Sequence, residues 1–162
     1  MILSSMSTLL KSGNSDAILG AVSATLERSD EAPFWAQKTL PYCKAILSVL
    51  IPLREQNLLF DPEGKAAAEL TPELFLRWCD LMSLKTLAFT LAKSNNEGKL
   101  VRTKITSTVY QPVDLEILGT YLSSYTVNLI DENLDFPTRN YNLHIGITAL
   151  IEKILKGNIG NV

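Results

Sequence analysis

Residues 34 to 57, FWAQKTLPYCKAILSVLIPLREQN, constrain this chain more than any other stretch. Gln37, Lys44, Ser48 and Glu55 recur at spacings of seven, four and seven, which lines them up as one narrow stripe on a helix, with Lys38 and Arg54 near the two ends. The remaining surface carries Trp35, Leu40, Cys43, Ile46, Leu47, Leu50 and Ile51, a face too wide for a helix lying on one neighbour. Such a helix is buried on most sides, so the rest of the chain has to pack around it. Pro41 and Pro52 each delete an amide and clash with the carbonyls of Gln37 and Ser48, at about 3 kcal/mol apiece in a regular helix. A kink or a restart is therefore expected at both, bending the helix around its core.

The neighbours needed to cover that helix are legible as further helical patterns. Ile2, Met6, Leu9 and Leu10 predict a short helix stopped by Gly13-Asn14. Asn14 or Ser15 then caps a helix through about Arg28, with Ile18, Leu19, Val22 and Leu26 on its stripe and Asp16 in its first turn. The charged break at 29 to 33 ends in Pro33, a first-turn proline for the central helix. Residues 57 to 64 read as a short extended piece entering a turn at Asp61-Pro62-Glu63-Gly64. Thr71-Pro72-Glu73 starts a helix over 72–82 that buries Leu74, Phe75, Trp78 and Met82. Ser83 is expected to cap the next, over 84–94, with Leu84, Leu87, Ala88 and Leu91 inward and a loop from Ser94 to Gly98.

Residues 99 to 110 are rich in Val, Thr, Ile and Tyr and read as a loop or a frayed helix. Pro112 to Val127 resumes a helical pattern through Leu115, Leu118, Leu122 and Tyr125. After a loop from Asp131 to Pro137, a last helix over 138–155 places Tyr141, Ile145, Thr148, Ile151 and Leu155 on one face, before a glycine-asparagine tail. About seven helices with no sustained alternation make this an all-α chain. A length of 162 residues fits one domain.

Charge and cysteine content narrow the function classes. Fifteen Lys and Arg against seventeen Asp and Glu leave a net charge of −2, which argues against a surface that tracks a phosphate backbone throughout. The cations that exist concentrate in residues 58 to 104, seven positive against six negative. Cys43 and Cys79 both sit inside apolar helical patterns, as core thiols do, and fit a reducing compartment. The first twenty residues lack the basic start of a secretory signal, and no stretch reaches 18 uncharged apolar residues. The expectation is a cytoplasmic segment that does not insert in a membrane.

No constellation for chemistry emerges. His144 lies on the edge of the last helix, where a partly exposed or hydrogen-bonded structural histidine is expected rather than a catalytic base. Cys43, Cys79 and His144 are too dispersed for a zinc site, and no cofactor is implied. Asp131, Glu132 and Asp135 read as a solvated acidic turn. Neither G-x-G-x-x-G nor a Walker A sequence occurs. One polar constellation stands out: Lys99, Arg102 and Lys104, with Lys93 upstream and hydroxyls on Thr103, Thr106, Ser107 and Thr108. Cations interleaved with hydroxyls hold phosphates or acidic peptide segments; a plain solvated loop is the alternative.

The opening Phe34-Trp35, the internal Pro52 and the exit Leu53-Arg54-Glu55 of the central helix resemble the all-α domain of type IV secretion and conjugation coupling ATPases, in the branch shared by Dot/Icm systems and IncI-type plasmids. The resemblance is clearest over residues 34 to 57, and fainter in the helical pairs that follow and in Tyr141 to Leu155. It implies a helical insert excised from a larger motor, lying at the cytoplasmic end of a hexamer at the inner membrane, which receives protein substrates or relaxosome components and contacts the motor domain of its own parent chain. This chain lacks both nucleotide motifs, so no ATPase residue carries over and no enzyme activity is expected of it. The resemblance thus implies a substrate-recognition domain; direct DNA binding through Lys99 to Lys104, and a freestanding regulator with an apolar ligand pocket beside the central helix, are the alternatives.

Overall fold

The central stretch forms one helix. In the computed structural model, which describes residues 2–27, 33–101, 110–123 and 138–155 (side chains other than those of 2–5, 35–36 and 138–141), α3 runs from Pro33 to Glu55. It is continuous through both prolines, so neither restarts the helix. Pro41 is exposed, on the same stripe as Gln37 and Lys44, so the carbonyl that its missing amide abandons faces water. Pro52 is half-buried, and its own carbonyl still accepts the Gln56 amide at 3.2 Å.

The other six helices of the described residues are α1 (Ile2–Ser12), α2 (Ser15–Glu27), α4 (Pro72–Trp78), α5 (Leu81–Glu97), α6 (Glu116–Ser123) and α7 (Thr138–Leu155). α3 packs against α2, α6 and α7, while α4 bridges α1, α5 and α7. One core, running from Met6 and Leu10 through Tyr42 to Leu53 and on to Ile154 and Leu155, joins all seven. The fold is all-α: the sole extended pairing among the described residues is an isolated antiparallel bridge between Phe60 and Ala66. Of the polar stripe of α3, Gln37, Lys44 and Glu55 are exposed, while Ser48 is half-buried and donates its hydroxyl to the Ala45 carbonyl at 2.6 Å. Tyr42 and Thr39, absent from the expected core list, are fully buried. The Trp35 side chain, the Asp131 to Asp135 cluster and Tyr125 lie outside what is described.

Caps decide where the elements end. Asn14 Oδ1 accepts the Ala17 amide at 2.8 Å and opens α2. Thr71 caps α4 as expected, its hydroxyl accepting the Leu74 amide with Pro72 at the first position. The next cap is Asp80 rather than Ser83: its carboxylate takes both the amide and the hydroxyl of Ser83. The expected helix over 72–82 therefore stops at Trp78, and α5 begins at Leu81. α3 closes with Asn57 at φ 59°, the Leu58 and Asn57 amides returning to the carbonyls of Leu53 and Arg54. Gly98, at φ 74°, closes α5 in the same left-handed conformation.

Three further expectations are corrected. α5 continues past Ser94 to Glu97: the Ser94 hydroxyl bonds back to the Thr90 carbonyl of its own helix at 2.8 Å, and the Asn95 side chain donates across to the Val113 carbonyl at 2.7 Å. α6 begins at Glu116 rather than Pro112, with Asp114 Oδ1 accepting the Glu116 amide. The inward face of α7 is rotated from the one expected: His144, Ile147, Ile151, Ile154 and Leu155 are buried, while Ile145 is 67% exposed. Both stripes satisfy helical spacing, and the packing against α3 and α4 selects between them.

Candidate functional site

The groups with reactive side chains are used in the core. His144 is 3% exposed, with Nε2 2.9 Å from Tyr121 Oη and its ring edge-on to Tyr42 at 4.7 Å. It is therefore not the edge residue that its helix pattern suggested. Tyr42 donates its hydroxyl to the Cys79 carbonyl, which also accepts Thr148 Oγ1 at 3.3 Å. This carbonyl ends α4, so one acceptor ties α3 and α7 to the α4–α5 junction. Burial pushes the Tyr42 phenol well above its ordinary range. Both cysteines are free and buried; burial pushes the Cys43 thiol up to about 12 and Cys79 in the same direction, with Cys43 adding to the shift at Cys79. Among the described residues no group of three His, Cys, Asp or Glu is placed to hold a metal ion. The cavity beside α3 at Cys43, Met6 and Phe75 is about 10 Å³, less room than an organic ligand needs.

An open site lies elsewhere, between the Phe60–Gly64 turn and α5. The groove has a volume of about 340 Å³, within the range of ligand pockets. Its floor is Phe60, Trp78 and Leu87, with Phe89 and Val101 at its sides. Thr86, Thr90 and Lys93 follow each other along one face of α5, so two hydroxyls and an ammonium line one wall. Lys85, fully buried, places its Nζ 5.8 Å from the centre of the Phe89 ring.

The opposite wall is built in advance. Trp78 Nε1 donates to the Phe60 carbonyl at 3.0 Å, and the two rings meet edge to face at 5.7 Å. Asp61 Oδ1 accepts the amides of Glu63 at 2.9 Å and Lys65 at 3.0 Å, while Oδ2 meets Arg77 at 3.2 Å. Burial alone would raise the Asp61 carboxyl, but those two amides and the Arg77 guanidinium outweigh it and hold the carboxyl below its usual range. A carboxylate so satisfied does not compete for Lys93, which remains the available charge on the rim.

The basic constellation starts at the end of this groove. Lys99 is exposed, directly after the Gly98 cap; Arg102 and Lys104 lie outside the described residues. What is described is the anchorage on either side of them. Val101 donates its amide to Ser94 Oγ at 2.8 Å. Asn95 accepts from Tyr110 Oη at 2.5 Å and from the Val113 amide at 2.9 Å, and donates to the Val113 carbonyl at 2.7 Å. Gln56 then pairs with both backbone groups of Gln111, at 2.9 and 2.7 Å. Residues 101 and 110 are thus held by adjacent positions of one helix, which closes the neck of the basic segment beside the groove.

Lys99 was singled out by its charge and Lys93 by its proximity in sequence; the groove itself was not, because the Asp61 turn is 32 residues before Lys93 and reaches it only through the fold. No helix of the described residues is long and apolar enough to cross a membrane. No family model matches this chain, and no curated protein or solved structure matches it either.

Proposed function

We propose that this chain is a docking domain without chemistry of its own, which receives protein or nucleoprotein cargo on the cytoplasmic side for a type IV coupling ATPase. The observation that carries the reading is the groove along α5: an apolar floor of Phe60, Trp78 and Leu87, one rim ammonium from Lys93, and Lys99 leading into a neck-anchored basic segment. The resemblance over Phe34 to Asn57 supplies the class of motor. A rigid wall reduces the ordering cost of binding, and an apolar floor beside a cation suits a cargo segment with a hydrophobic side chain next to a carboxylate.

The test is capture of the cognate relaxase or effector signal by this chain and by the intact parent protein. Capture that is lost in Lys93→Glu, with folded stability within about 0.5 kcal/mol of the parent chain, is the expected result for a surface position. No capture by either protein overturns the proposal. Reading the coding sequence on both sides of the chain tests the motor assignment separately, since flanking nucleotide-binding motifs are expected.

A second reading is favoured by the exposure of Lys93 and Lys99 beside the neck: direct DNA binding by the segment through Arg102 and Lys104. It requires a mobility shift whose affinity falls steeply with salt and drops in Arg102→Ala and Lys104→Ala. A salt-independent shift, or none, removes it.

A further inference from the structure

The groove along α5 carries one unbalanced charge. Asp61 and Lys93 are the charged residues that line it, and they stand differently. Asp61 has both oxygens engaged, Oδ1 by the Glu63 and Lys65 amides and Oδ2 by Arg77. Lys93 is exposed and has no hydrogen-bond or ion-pair partner among the described residues. The same holds for the side-chain hydroxyls of Thr86 and Thr90 on the same wall.

The spacing of these groups fits a single small anion. Thr90 and Lys93 are three residues apart, roughly 4.5 Å along α5, so one carboxylate can accept from both the hydroxyl and the ammonium. Beside them the lining is aromatic: Phe60 and Trp78 meet edge to face at 5.7 Å, and the half-buried Phe89 precedes Thr90. Such rings take a further ring in offset or edge contacts. The Trp78 bond to the Phe60 carbonyl holds two of them in place before a ligand arrives, so less ordering is left to binding. A volume of about 340 Å³ is at the small end of ligand pockets, with room for one ring and a short acyl chain. A nucleotide or other polyanion would bring its further charges against the Asp61 carboxylate, and a cationic ligand would meet Lys93.

We infer that this groove binds a small aromatic monocarboxylate, with its ring on Phe60, Trp78 and Phe89 and its carboxylate on Lys93 and Thr90. The inference goes beyond the cargo reading, because it concerns a free small molecule and needs no cargo. Only its consequence, that bound ligand and cargo exclude one another, rests on that reading.

The experiment titrates the isotope-labelled chain with phenylbutyrate, following the amides and the Trp78 indole N–H, against uncharged phenylbutyramide and ringless butyrate. The expected result is saturable shifts at residues 60–64, 78 and 86–93, with a dissociation constant of about 1 mM or tighter and binding about tenfold weaker for each control. Lys93→Gln, at an exposed position that leaves folding intact, should weaken phenylbutyrate about tenfold, and Thr90→Val about threefold. Lys44→Gln, which removes an exposed cation from α3, should change nothing. Equal binding of phenylbutyramide, shifts that are absent or lie elsewhere, or equal losses in Lys93→Gln and Lys44→Gln overturn the inference. Failed cargo capture would remove the docking reading and leave this one standing; absent ligand shifts would do the reverse.

Discussion

Tyr121 Oη lies 2.9 Å from His144 Nε2, joining α6 to α7 beside the buried ring of Tyr42. The only histidine of the chain thus serves as a packing and hydrogen-bonding residue between three helices. His144→Ala leaves a cavity and deprives Tyr121 of this bond, and should cost roughly 2 to 4 kcal/mol. Ile145→Ala, one residue on but exposed, should stay within about 0.5 kcal/mol. Urea unfolding of the two variants side by side checks the orientation of α7, and equal losses would contradict it.

The Asp61 turn makes stability depend on pH in a definite direction. The folded carboxyl sits below its unfolded value, held there against burial by the Lys65 and Glu63 amides and Arg77. The unfolded chain therefore takes up the proton first as pH falls. The contribution is complete above the unfolded value, about 4, and is lost as pH falls through the folded one. Asp61→Asn should lower stability by about 1 kcal/mol at neutral pH, and its difference from the parent chain should shrink below about pH 4. Denaturant midpoints measured between pH 3 and 7 test this; a difference that grows on acidification would refute it.

Cys43 and Cys79 should resist modification while the protein is folded. With a pKa of about 12, on the order of one Cys43 thiol in ten thousand is ionised at pH 8, and both sulfurs are buried. Reaction with a chromogenic disulfide reagent should await opening of the core and become fast in denaturant. Stoichiometric labelling of the native chain within minutes would show that the α3–α4 contact opens readily.

Pro41 occupies the water-facing stripe of α3 without interrupting it. Pro41→Ala restores an amide for the Gln37 carbonyl and removes the ring clash, a gain of about 3 kcal/mol, less up to about 1 kcal/mol for a more flexible unfolded chain. A net stabilisation of roughly 2 kcal/mol is expected, visible as a higher Tm. Pro52→Ala should gain less, because the half-buried Pro52 ring loses contacts.

Much of the scaffold was legible before any coordinates. The Thr71-Pro72-Glu73 start, the stripe on α3 and the Asp61 turn are local: each depends on a hydroxyl, a proline or a spacing within a few residues. The Asp80 cap was missed because an aspartate and a serine three residues apart can each open a helix. Their mutual geometry, with Ser83 donating to Asp80, decides between them. The rotation of α7 was missed because its apolar residues satisfy two overlapping stripes.

The candidate sites divide in the same way. Lys99, Arg102 and Lys104 stand out in the chain as a cluster of charge, and the resemblance carried by α3 rests on residues near one another in sequence. The groove does not stand out, since it is made from segments far apart, the Asp61 turn and α5. What the sequence by itself determined was the class of fold and the helix that organises it, because helical periodicity and capping act over one or two turns. Tertiary structure alone decided which face of α7 is buried, that His144 belongs to the core, and where the open surfaces lie. Those outcomes depend on which apolar faces meet, and that is settled by the burial of all seven helices together.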